Sequence, residues 1–369
     1  MDLATLVFLA VGFLAGVALI GRAHPLLGVD RTAPTAVSTT VIVPARNEAQ
    51  RLPRLLRALD HVPSDGLQVI VVDDRSSDDT AQIARAAGAQ VLTVDPPTGW
   101  TGKSWACHSG ARAATGEVLV FLDADTEPTP EGLAALVATA QQGYLVSALP
   151  RQRIERPYER LSAGPALISV LGAGTGAPPR HRWWRRPVAY GPAIAITAAD
   201  YRRIGGHAEV RSSVIEDLAL ARAADQAGVP VASTLGGDLL GYRMYPEGVG
   251  SLVEGWSKNL AGGSSVIPPL RLAASILWVA AALHAASTGV LALATPGHGA
   301  ARMAALLGYV AFAAQVGVVL RRIGRFGALT TVLYPLILIG FVALFARSAV
   351  LTHVRRSVTW RGRQVPIGG

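Results

Sequence analysis

Hydrophobic and polar positions divide the chain into three regions. Residues 3–21 carry no charged side chain over 19 positions. Three further apolar segments follow one another near the C-terminus, at Leu272–Thr295, Met303–Leu320 and Phe326–Ala346. Each of the four approaches the roughly 20 residues that cross a bilayer core. The pattern therefore predicts a membrane protein with an N-terminal helix, a globular region and a C-terminal cluster of helices.

The first apolar segment is interpreted as an uncleaved anchor. It begins after Asp2 rather than after a basic run, and no small-x-small cleavage site stands apart from it. A cleaved secretory signal is the alternative. We therefore expect residues 1–22 to form a transmembrane anchor.

Strand and helix patterns alternate in the globular region. Short runs rich in β-branched residues predict strands at Thr40–Val43, Gln68–Val72, Gln90–Val94 and Val118–Leu122. Helices are predicted at Ala49–Leu59, at Asp78–Ala87, around Lys103 and at Pro130–Gln141. Such alternation indicates an α/β fold with a mainly parallel sheet covered on both faces. The predicted regions are the anchor (1–22), a globular domain (38–265), a transmembrane helical region (270–348) and a basic tail (349–369).

Charge is concentrated beside the apolar segments. The 369 residues are 50% hydrophobic and carry a formal net charge of +9. Much of the excess lies at Arg22, Arg31, Arg271 and a series of arginines from Arg321 onward. Anionic lipid headgroups and the positive-inside rule explain cations in these places. The charge therefore favours a lipid bilayer as partner, and no nucleic acid is expected.

The same rule creates a conflict in topology. Arg22 and Arg31 place the globular domain at the cytoplasmic face of a multi-pass cell-membrane protein, but three later spans would export the arginine-rich tail. One apolar segment is therefore expected to be re-entrant or interfacial, and the segment that contains Pro335 is the candidate.

The chain has a lone cysteine, Cys107, which excludes an intrachain disulfide. It is expected to be a small buried residue in a helix.

Polar clusters follow three of the predicted strands. They are Pro44–Glu48, Asp73–Arg75 and Asp123–Asp125. Ligands of such sheets bind beyond the carboxyl ends of the strands, so these clusters are candidate binding residues. The first turn lacks the G-x-G-x-x-G pattern, which argues against a dinucleotide site.

Asp123 and Asp125 are the candidate metal ligands. Two carboxylates this close ionise reluctantly unless a cation shares them, and hard oxygen ligands suit Mg²⁺ or Mn²⁺ that also holds a diphosphate. A solvated Asp-x-Asp turn is the structural alternative. Their place at a strand end favours the metal.

Further acids have candidate roles. Asp73 and Asp74 end the second strand, where one of them can accept hydrogen bonds from a nucleobase or ribose, whereas Asp78 is better explained as a helix cap. Glu216 and Asp217 open a later helix, where the alternatives are a general base and a charge at the helix dipole.

Lys103 lies in a stretch that imitates a phosphate-binding loop. The pattern G-x-x-x-x-G-K-[ST] requires glycine where this chain has Pro97, so a Walker loop is excluded. Lys103 remains a cation at the start of a predicted helix, and it is one of only two lysines in the chain.

These motifs together resemble the family 2 glycosyltransferases of GT-A fold. In order, they are Pro-x-x-Asn-Glu (44–48), Val-Asp-Asp-x-Ser-x-Asp (72–78), Gly-Lys-x-x-Ala (102–106), Asp-x-Asp (123–125) and Glu-Asp (216–217). The resemblance covers roughly residues 38–260. Gly-Trp-x-Gly-Lys-x-Trp-Ala (99–106) and Val-Thr-Trp-Arg-Gly-Arg (358–363) are most similar to membrane transferases of the hopanoid-biosynthesis and diaponeurosporenoate type.

The resemblance implies a set of site residues. Asp74 or Asp73 would contact uracil, Asp123 and Asp125 would hold the metal-bound diphosphate, and Asp217 beside Glu216 would be the catalytic base. Lys103 would be a cation near the donor nucleotide. The whole implied nucleotide-sugar site is Pro44, Arg46, Asn47, Glu48, Asp73, Asp74, Lys103, Asp123, Trp256 and Lys258.

Two departures limit the resemblance. His108 stands where many relatives have asparagine, and it is expected to be a helix-surface histidine. Processive synthases carry Gln-x-x-Arg-Trp, of which this chain keeps only Trp256 within Leu252–Trp256. Trp256 and Lys258 are then candidates for closing the site over the donor or acceptor. For Trp256, an interfacial anchor is the alternative.

The predicted function is inverting transfer of a sugar from a nucleotide-sugar donor, a UDP-sugar for preference, to a hydroxyl or carboxyl of a lipid acceptor, with Mg²⁺ or Mn²⁺ as cofactor. The apolar stretch 164–177 is either an entry for this lipid or an ordinary interfacial segment. Three alternatives remain: a polyprenyl-phosphate sugar transferase, a processive polysaccharide synthase, and a non-catalytic membrane scaffold.

Overall fold

The computed structural model of the protein describes residues 2–20, 26, 37–62, 66–174, 188–213, 215–264, 267–294, 299–352, 357–360 and 363–366. Fourteen α-helices lie in these ranges: α1 (Leu3–Ile20), α2 (Leu52–Leu59), α3 (Thr80–Ala86), α4 (Gly102–Ala113), α5 (Pro130–Gln141), α6 (Ala163–Ala173), α7 (Ala198–Arg203), α8 (Gly206–Glu209), α9 (Glu216–Gln226), α10 (Val249–Ser264), α11 (Pro269–Ala294), α12 (Ala300–Ile323), α13 (Ala328–Val332) and α14 (Tyr334–Val350).

The strands of the described ranges are β1 (Thr39–Ala45), β2 (Leu67–Asp73), β3 (Gln90–Thr93), β4 (Val118–Leu122), β5 (Thr126–Pro128), β6 (Leu145–Leu149), β7 (Arg151–Gln152), β8 (Ala193–Thr197), β9 (Val231–Leu235), β10 (Leu240–Tyr242), β11 (Ser357–Trp360) and β12 (Arg363–Pro366). Seven of them form the central sheet, in the order β3-β2-β1-β4-β8-β6-β9. β3, β2, β1 and β4 run parallel, while β8 is antiparallel to both β4 and β6. The mainly parallel α/β sheet predicted from the sequence is confirmed.

Burial on both faces explains why the central strands are continuous apolar runs. β4 is buried at all five positions, and Val41, Ile42 and Val43 of β1 are fully buried. Alternate side chains pack into two separate cores, one on each face of the sheet. A strand with both faces covered has no need for alternating polar residues.

One helix begins later than its sequence pattern predicts. The apolar spacing predicts a start at Ala49, but α2 begins at Leu52. The preceding residues are held in a loop, because Asn47 has a positive φ of 53° and the Ala49 amide donates to Asp78 Oδ2 at 3.1 Å. The hydrogen bond to Asp78 ties this loop to the segment that follows β2.

The N-terminal helix packs against the C-terminal helices instead of standing alone. A Cβ added at Gly12 or Gly16 of α1 would clash with Ala281 or Trp278 of α11, so small residues permit the close approach. Trp278 Nε1 donates to Gln315 Oε1 of α12 at 2.7 Å, and Gln315 Nε2 donates to the Phe13 carbonyl at 2.9 Å. These hydrogen bonds join α1, α11 and α12 into one bundle.

Within the described ranges, three helices are long and apolar enough to cross a membrane: α1, α11 and α12. The fourth apolar segment, expected as one run over Phe326–Ala346, is instead divided at Leu333 into α13 and the 17-residue α14. Pro335 lies in the first turn of α14, where a proline cannot continue a preceding helix. The re-entrant or interfacial placement of this segment stays a prediction. In the tail, Arg355, Arg356 and Arg361 lie outside the described residues.

The interpretation of Arg271 as a cation for lipid headgroups is wrong. Its side chain is buried, and it donates from Nη2 to the Leu171 carbonyl at 2.7 Å and from Nε to the Gly172 carbonyl at 3.0 Å. These carbonyls end α6, where a cation stabilises the helix dipole and satisfies acceptors that lack an intrahelical partner. Arg271 therefore ties the start of α11 to the end of α6.

Candidate active site

One large cavity joins the carboxyl edge of the sheet to the apolar helices. Its volume is about 1160 Å³. One end of the cavity is lined by polar residues that follow β1, β2 and β4 and by the start of α9. The other end is lined by side chains of α6, α10, α11 and α14. The volume exceeds the roughly 300–1,000 Å³ of most small-molecule pockets, so there is room for more than one ligand.

Lys103 links two acidic clusters at the polar end. Thr101 accepts a hydrogen bond from the Ser104 amide and so caps α4, which places Lys103 in the first turn. Its Nζ lies 2.7 Å from Asp123 Oδ1 and 2.9 Å from Glu216 Oε1. Burial opposes the charge, yet Asp123 and Glu216 raise the pKa of Lys103 well above its ordinary value. Lys103 is therefore a fixed cation in the cavity wall.

Asp217 lies beside this ion-pair network and lines the same cavity. A Cβ added at Gly191 would stand 3.1 Å from Asp217 Oδ2 and 3.3 Å from Lys103 Nζ, so glycine leaves room for both side chains. Burial, and then the neighbouring Glu216 charge, raise the pKa of Asp217 to about 7. A carboxylate with this pKa can take a proton near neutral pH.

Asp125 is a second half-buried carboxylate with unusual electrostatics. Burial and the charge of Asp123 raise its pKa to about 7, while Arg51 acts in the opposite direction. Asp125 lines the cavity, and Asp123 is already paired with Lys103. Among the described residues no group of three or more His, Cys, Asp or Glu side chains is suited to a metal ion. A cation here would depend on Asp125 and Asp123 together with ligands brought by the substrate.

The two acids at the end of β2 have different surroundings. Asp73 Oδ1 accepts a hydrogen bond from the Ser76 amide at 3.1 Å, which holds the turn after the strand. Asp74 lines the cavity, where Arg46 Nη1 lies 3.1 Å from its Oδ2. Its buried Oδ1 accepts no hydrogen bond from the residues that the structure describes, and Arg75 Nε lies 3.6 Å from it. Of the two candidates for the nucleobase contact, Asp74 is the one that faces the cavity.

The cluster after β1 is similarly divided. Pro44, Arg46 and Glu48 line the cavity. Asn47 does not appear in its wall; its Oδ1 instead accepts a hydrogen bond from the Ser77 amide at 2.8 Å. Asn47 therefore joins the β1 and β2 loops, and its expected contact with the donor has no support in the geometry.

Trp256 lines the cavity from α10. It is 7% exposed, and its Nε1 donates to Ser162 Oγ at 3.1 Å. This position differs from that of an interfacial anchor, which would face lipid. Lys258 follows on the same helix, and its side chain lies outside the described part of the structure.

Several residues of the cavity wall could not be found from the sequence pattern. Arg51 and Tyr190 belong to no recognised motif, and their places depend on long-range contacts. Trp100 lies within the motif of residues 99–106, but the motif does not predict which side chains its ring packs against. Its ring lies 4.9 Å from that of Trp105 and 5.0 Å from that of His108, so the expected surface histidine supports an aromatic residue of the cavity wall. Cys107 is buried, as predicted.

Comparisons with known proteins agree with these features. Residues 40–187 match the family described as Glycosyl transferase family 2. The chain is 34% identical over 344 residues to a 4,4'-diaponeurosporenoate glycosyltransferase of Staphylococcus haemolyticus, with 91% of each chain covered. It is also 34% identical to the protein of that name in Staphylococcus aureus, covering 89% of this chain and 88% of the relative.

Among solved structures, the chain resembles a mannosyltransferase of Pyrobaculum calidifontis in complex with GDP-Man and Mn²⁺. The TM-score is 0.49 with 22% identity, over 93% of this chain and 96% of that one. The α/β sheet with acids beyond its strand ends is the GT-A fold predicted from the sequence. On the strength of the sequence relatives, which it matches over nearly its whole length, the chain belongs to glycosyl transferase family 2.

Proposed function

We propose that the protein transfers a sugar from a nucleotide-sugar donor, a UDP-sugar, to a lipid acceptor, with inversion at the anomeric carbon. The observation that carries this proposal is the single cavity with Lys103, Asp123, Asp125 and Asp217 at one end and apolar helices at the other. We place the globular domain at the cytoplasmic face of the cell membrane, where nucleotide sugars are available.

The nucleotide is assigned to the side of the cavity near Asp74. A Cβ at Gly102 would clash with the Asp74 carboxylate, so the glycine lets the start of α4 approach this acid closely. The amides at the start of α4 and Lys103 lie next to it and favour an anionic diphosphate. Asp74 is then the hydrogen-bond acceptor for the base or ribose.

The proposed reaction is a single displacement. The acceptor oxygen forms a bond to the anomeric carbon as the bond from that carbon to the diphosphate oxygen breaks, and the acceptor proton passes to Asp217. Lys103 offsets the negative charge that develops on the leaving nucleoside diphosphate. An oxygen that attacks opposite the leaving group inverts the configuration.

A divalent cation fits this site in one specific way. Burial, and then repulsion from the neighbouring Asp123, raise the pKa of Asp125, and the two carboxylates supply hard oxygen atoms. Mg²⁺ or Mn²⁺ typically uses one or two carboxylates and completes its shell with phosphate oxygens and water. Bound there, the ion would offset charge on the leaving diphosphate.

The lipid acceptor is supported by the wall of the cavity and by the relatives. None of the wall residues that the structure describes on α6, α10, α11 and α14 is charged. The relatives are named for 4,4'-diaponeurosporenoate, an ending that denotes a carboxylate. A hydroxyl acceptor needs a base, whereas a carboxylate is already ionised at neutral pH, so the dependence on Asp217 distinguishes the two.

The decisive experiment incubates membranes that contain the protein with labelled UDP- and GDP-sugars and extracted lipids, with and without Mn²⁺. We expect label in one lipid product only when a UDP-sugar is supplied. Asp217→Asn is expected to abolish transfer to a hydroxyl acceptor while donor binding persists. Asp225→Asn, at the exposed end of the same helix, is the matched control.

Other outcomes separate the alternatives. Label only on a phosphorylated isoprenoid would identify a polyprenyl-phosphate sugar transferase, and a ladder of products a processive synthase. No transfer or hydrolysis of any nucleotide sugar, in a protein that retains all its acids, would contradict the proposal and favour a scaffold.

A further inference from the structure

We propose that the acceptor lipid enters the cavity sideways from the bilayer, through the gap between α11 and α14, and that its apolar chain lies along one face of α11. This inference rests on the proposed function, since it assigns a route and a binding surface to the same acceptor.

The lining face of α11 is a continuous stripe. Leu272, Ile276, Val279 and Leu283 recur at helical spacing and all line the cavity. At 1.5 Å per residue, the stripe runs for roughly 16 Å along the helix, about half of a 30 Å bilayer core. A chain that follows it reaches the middle of the membrane.

The opposite face of α11 is closed by neighbouring helices. Trp278, Ala281 and Ala285 are fully buried, and Gly12 of α1 packs directly on Ala281. Trp278 is further fixed by its hydrogen bond to Gln315. The two faces therefore differ: one holds the bundle together, and the other borders the cavity.

The apolar residues that line the cavity differ in exposure. Trp256 and Leu260 of α10 are 7% and 8% exposed. Ile276 of α11 and Val342 of α14 also line the cavity, but they are 61% and 46% exposed. An apolar side chain that is exposed on a membrane helix faces lipid chains. The mouth of the apolar half therefore faces the bilayer.

The chemistry of the wall defines the ligand. An uncharged wall binds a hydrocarbon chain, while the polar groups at the far end require one reactive oxygen at the head of that chain. The ligand class is thus a single-chain amphiphile that carries a hydroxyl or carboxyl at one end. Its tail can extend through the gap into the membrane, so the length of the stripe does not limit the chain length.

A reversible cross-link across the gap tests this route. The native chain has one cysteine, which is 1% exposed, so thiols introduced elsewhere can be modified selectively. Ile276→Cys combined with Val342→Cys is treated with a bifunctional methanethiosulfonate reagent, and mass spectrometry verifies the bridge. Transfer is then measured with extracted membrane lipids and with 1-octanol as a short acceptor in detergent.

Closing the gap is expected to reduce transfer to membrane lipids at least tenfold. Transfer to 1-octanol and binding of the UDP-sugar should change less than twofold, and dithiothreitol should restore the lost activity. The matched control pair is Met303→Cys with Leu307→Cys, which are exposed on α12 one helical turn apart. Its bridge should have no effect.

A second variant makes the result independent of bridge formation. Ala280→Trp places a large side chain on the exposed edge of the lining face and should also affect lipids more than 1-octanol. Equal activity of bridged and unbridged protein on lipids, or equal loss with both acceptors, would overturn the lateral route. A wild-type protein that transfers no sugar at all would instead refute the proposed function.

Discussion

The two halves of the cavity are built on different physical principles. The polar half is held by directed contacts, as Lys103 Nζ lies within 2.9 Å of both Asp123 and Glu216. The apolar half is shaped by the packing of helices whose described lining residues carry no charge. A small change in the first half alters the balance of charges, whereas the second half tolerates changes that preserve volume. We infer that the polar half determines whether a sugar moves and the apolar half determines which molecule receives it.

The largest effect should come from removing the cation of the polar half. Lys103→Met leaves Asp123 and Glu216 without their shared partner, so we expect kcat to fall roughly 10²- to 10³-fold. Lys103→Arg should not rescue it, because a planar guanidinium does not present its donors in the way a compact ammonium does. Steady-state transfer assays, with donor binding measured by calorimetry, test this. A decrease in kcat of less than threefold would show that Lys103 takes no part in the reaction.

The pH dependence of transfer should also originate in the polar half. Burial and Glu216 raise the pKa of Asp217 to about 7, and a base must be ionised, so kcat/KM to a hydroxyl acceptor should fall about tenfold per pH unit below that value. The free energy of unfolding changes with pH in the opposite direction. The pKa of Asp217 is raised from 3.8 in the unfolded chain to about 7 in the folded protein, so its contribution to stability is fully present below pH 3.8 and is lost as the pH rises through 7.

Asp217→Asn should therefore unfold at a higher temperature than the wild type at pH 8, but not at pH 4. Thermal unfolding in detergent at the two pH values measures this. Equal melting temperatures of the variant and the wild type at pH 8 would contradict the assigned environment of Asp217.

A methyl group at the start of α4 should weaken donor binding with less effect on turnover. The new Cβ of Gly102→Ala would press on the Asp74 carboxylate, a form of overpacking that costs about 1–3 kcal/mol, so we expect the donor KM to rise roughly tenfold. Gly250→Ala, where no atom lies within 4 Å of the added Cβ, is the control. An unchanged donor KM would contradict the proposed contact between Asp74 and the nucleotide.

The same substitution in the helix bundle should act on stability alone. Gly12→Ala forces α1 away from Ala281, and we expect a loss of about 1–3 kcal/mol, visible as a lower melting temperature. Gly340→Ala on α14, where the added Cβ meets nothing within 4 Å, should be neutral. A change in the donor KM of the folded Gly12 variant would show that the two halves are coupled more strongly than we infer.

The smallest effect concerns a buried histidine behind the polar half. His207 is 3% exposed, lies 2.9 Å from the Tyr201 hydroxyl, and burial lowers its pKa from 6.5 to about 3. The unfolded chain binds the proton more readily, so stability should fall as the pH drops below 6.5, by about 1.4 kcal/mol per unit at most. His207→Gln should lack this dependence between pH 6.5 and 5. Melting curves over that range provide the test.

The sequence predicts the polar half better than the apolar half for a physical reason. Acids such as Asp74 and Asp123 follow short buried strands, and parallel strands bring their carboxyl ends to one edge. Sequence order alone therefore places them near each other. The bounds of β4 and α5 were likewise predicted exactly as observed, because apolar runs and helix caps are local signals.

Features that depend on distant contacts were not predicted. Asn47 and Asp74 belong to equally plausible motifs, yet only the positive φ of Asn47 and its contact with Ser77 show that it holds a loop. The division of the last apolar segment at Leu333 and the packing of α1 on α11 required the helices to be placed in space. An arginine beside a membrane segment gives no sign in the sequence that it is buried, as Arg271 is.

We expect the hydrogen bonds of Arg271 to couple the tilt of α11 to the wall of the cavity. A bilayer that is thinner or thicker than the hydrophobic length of α11 changes the tilt of that helix. Because Arg271 is hydrogen-bonded to the end of α6, whose residues line the cavity, such a tilt would move the apolar wall of the cavity as well. Reconstitution in phosphatidylcholines of increasing acyl length should therefore give a turnover rate with a maximum at one thickness, and Arg271→Met should flatten that maximum.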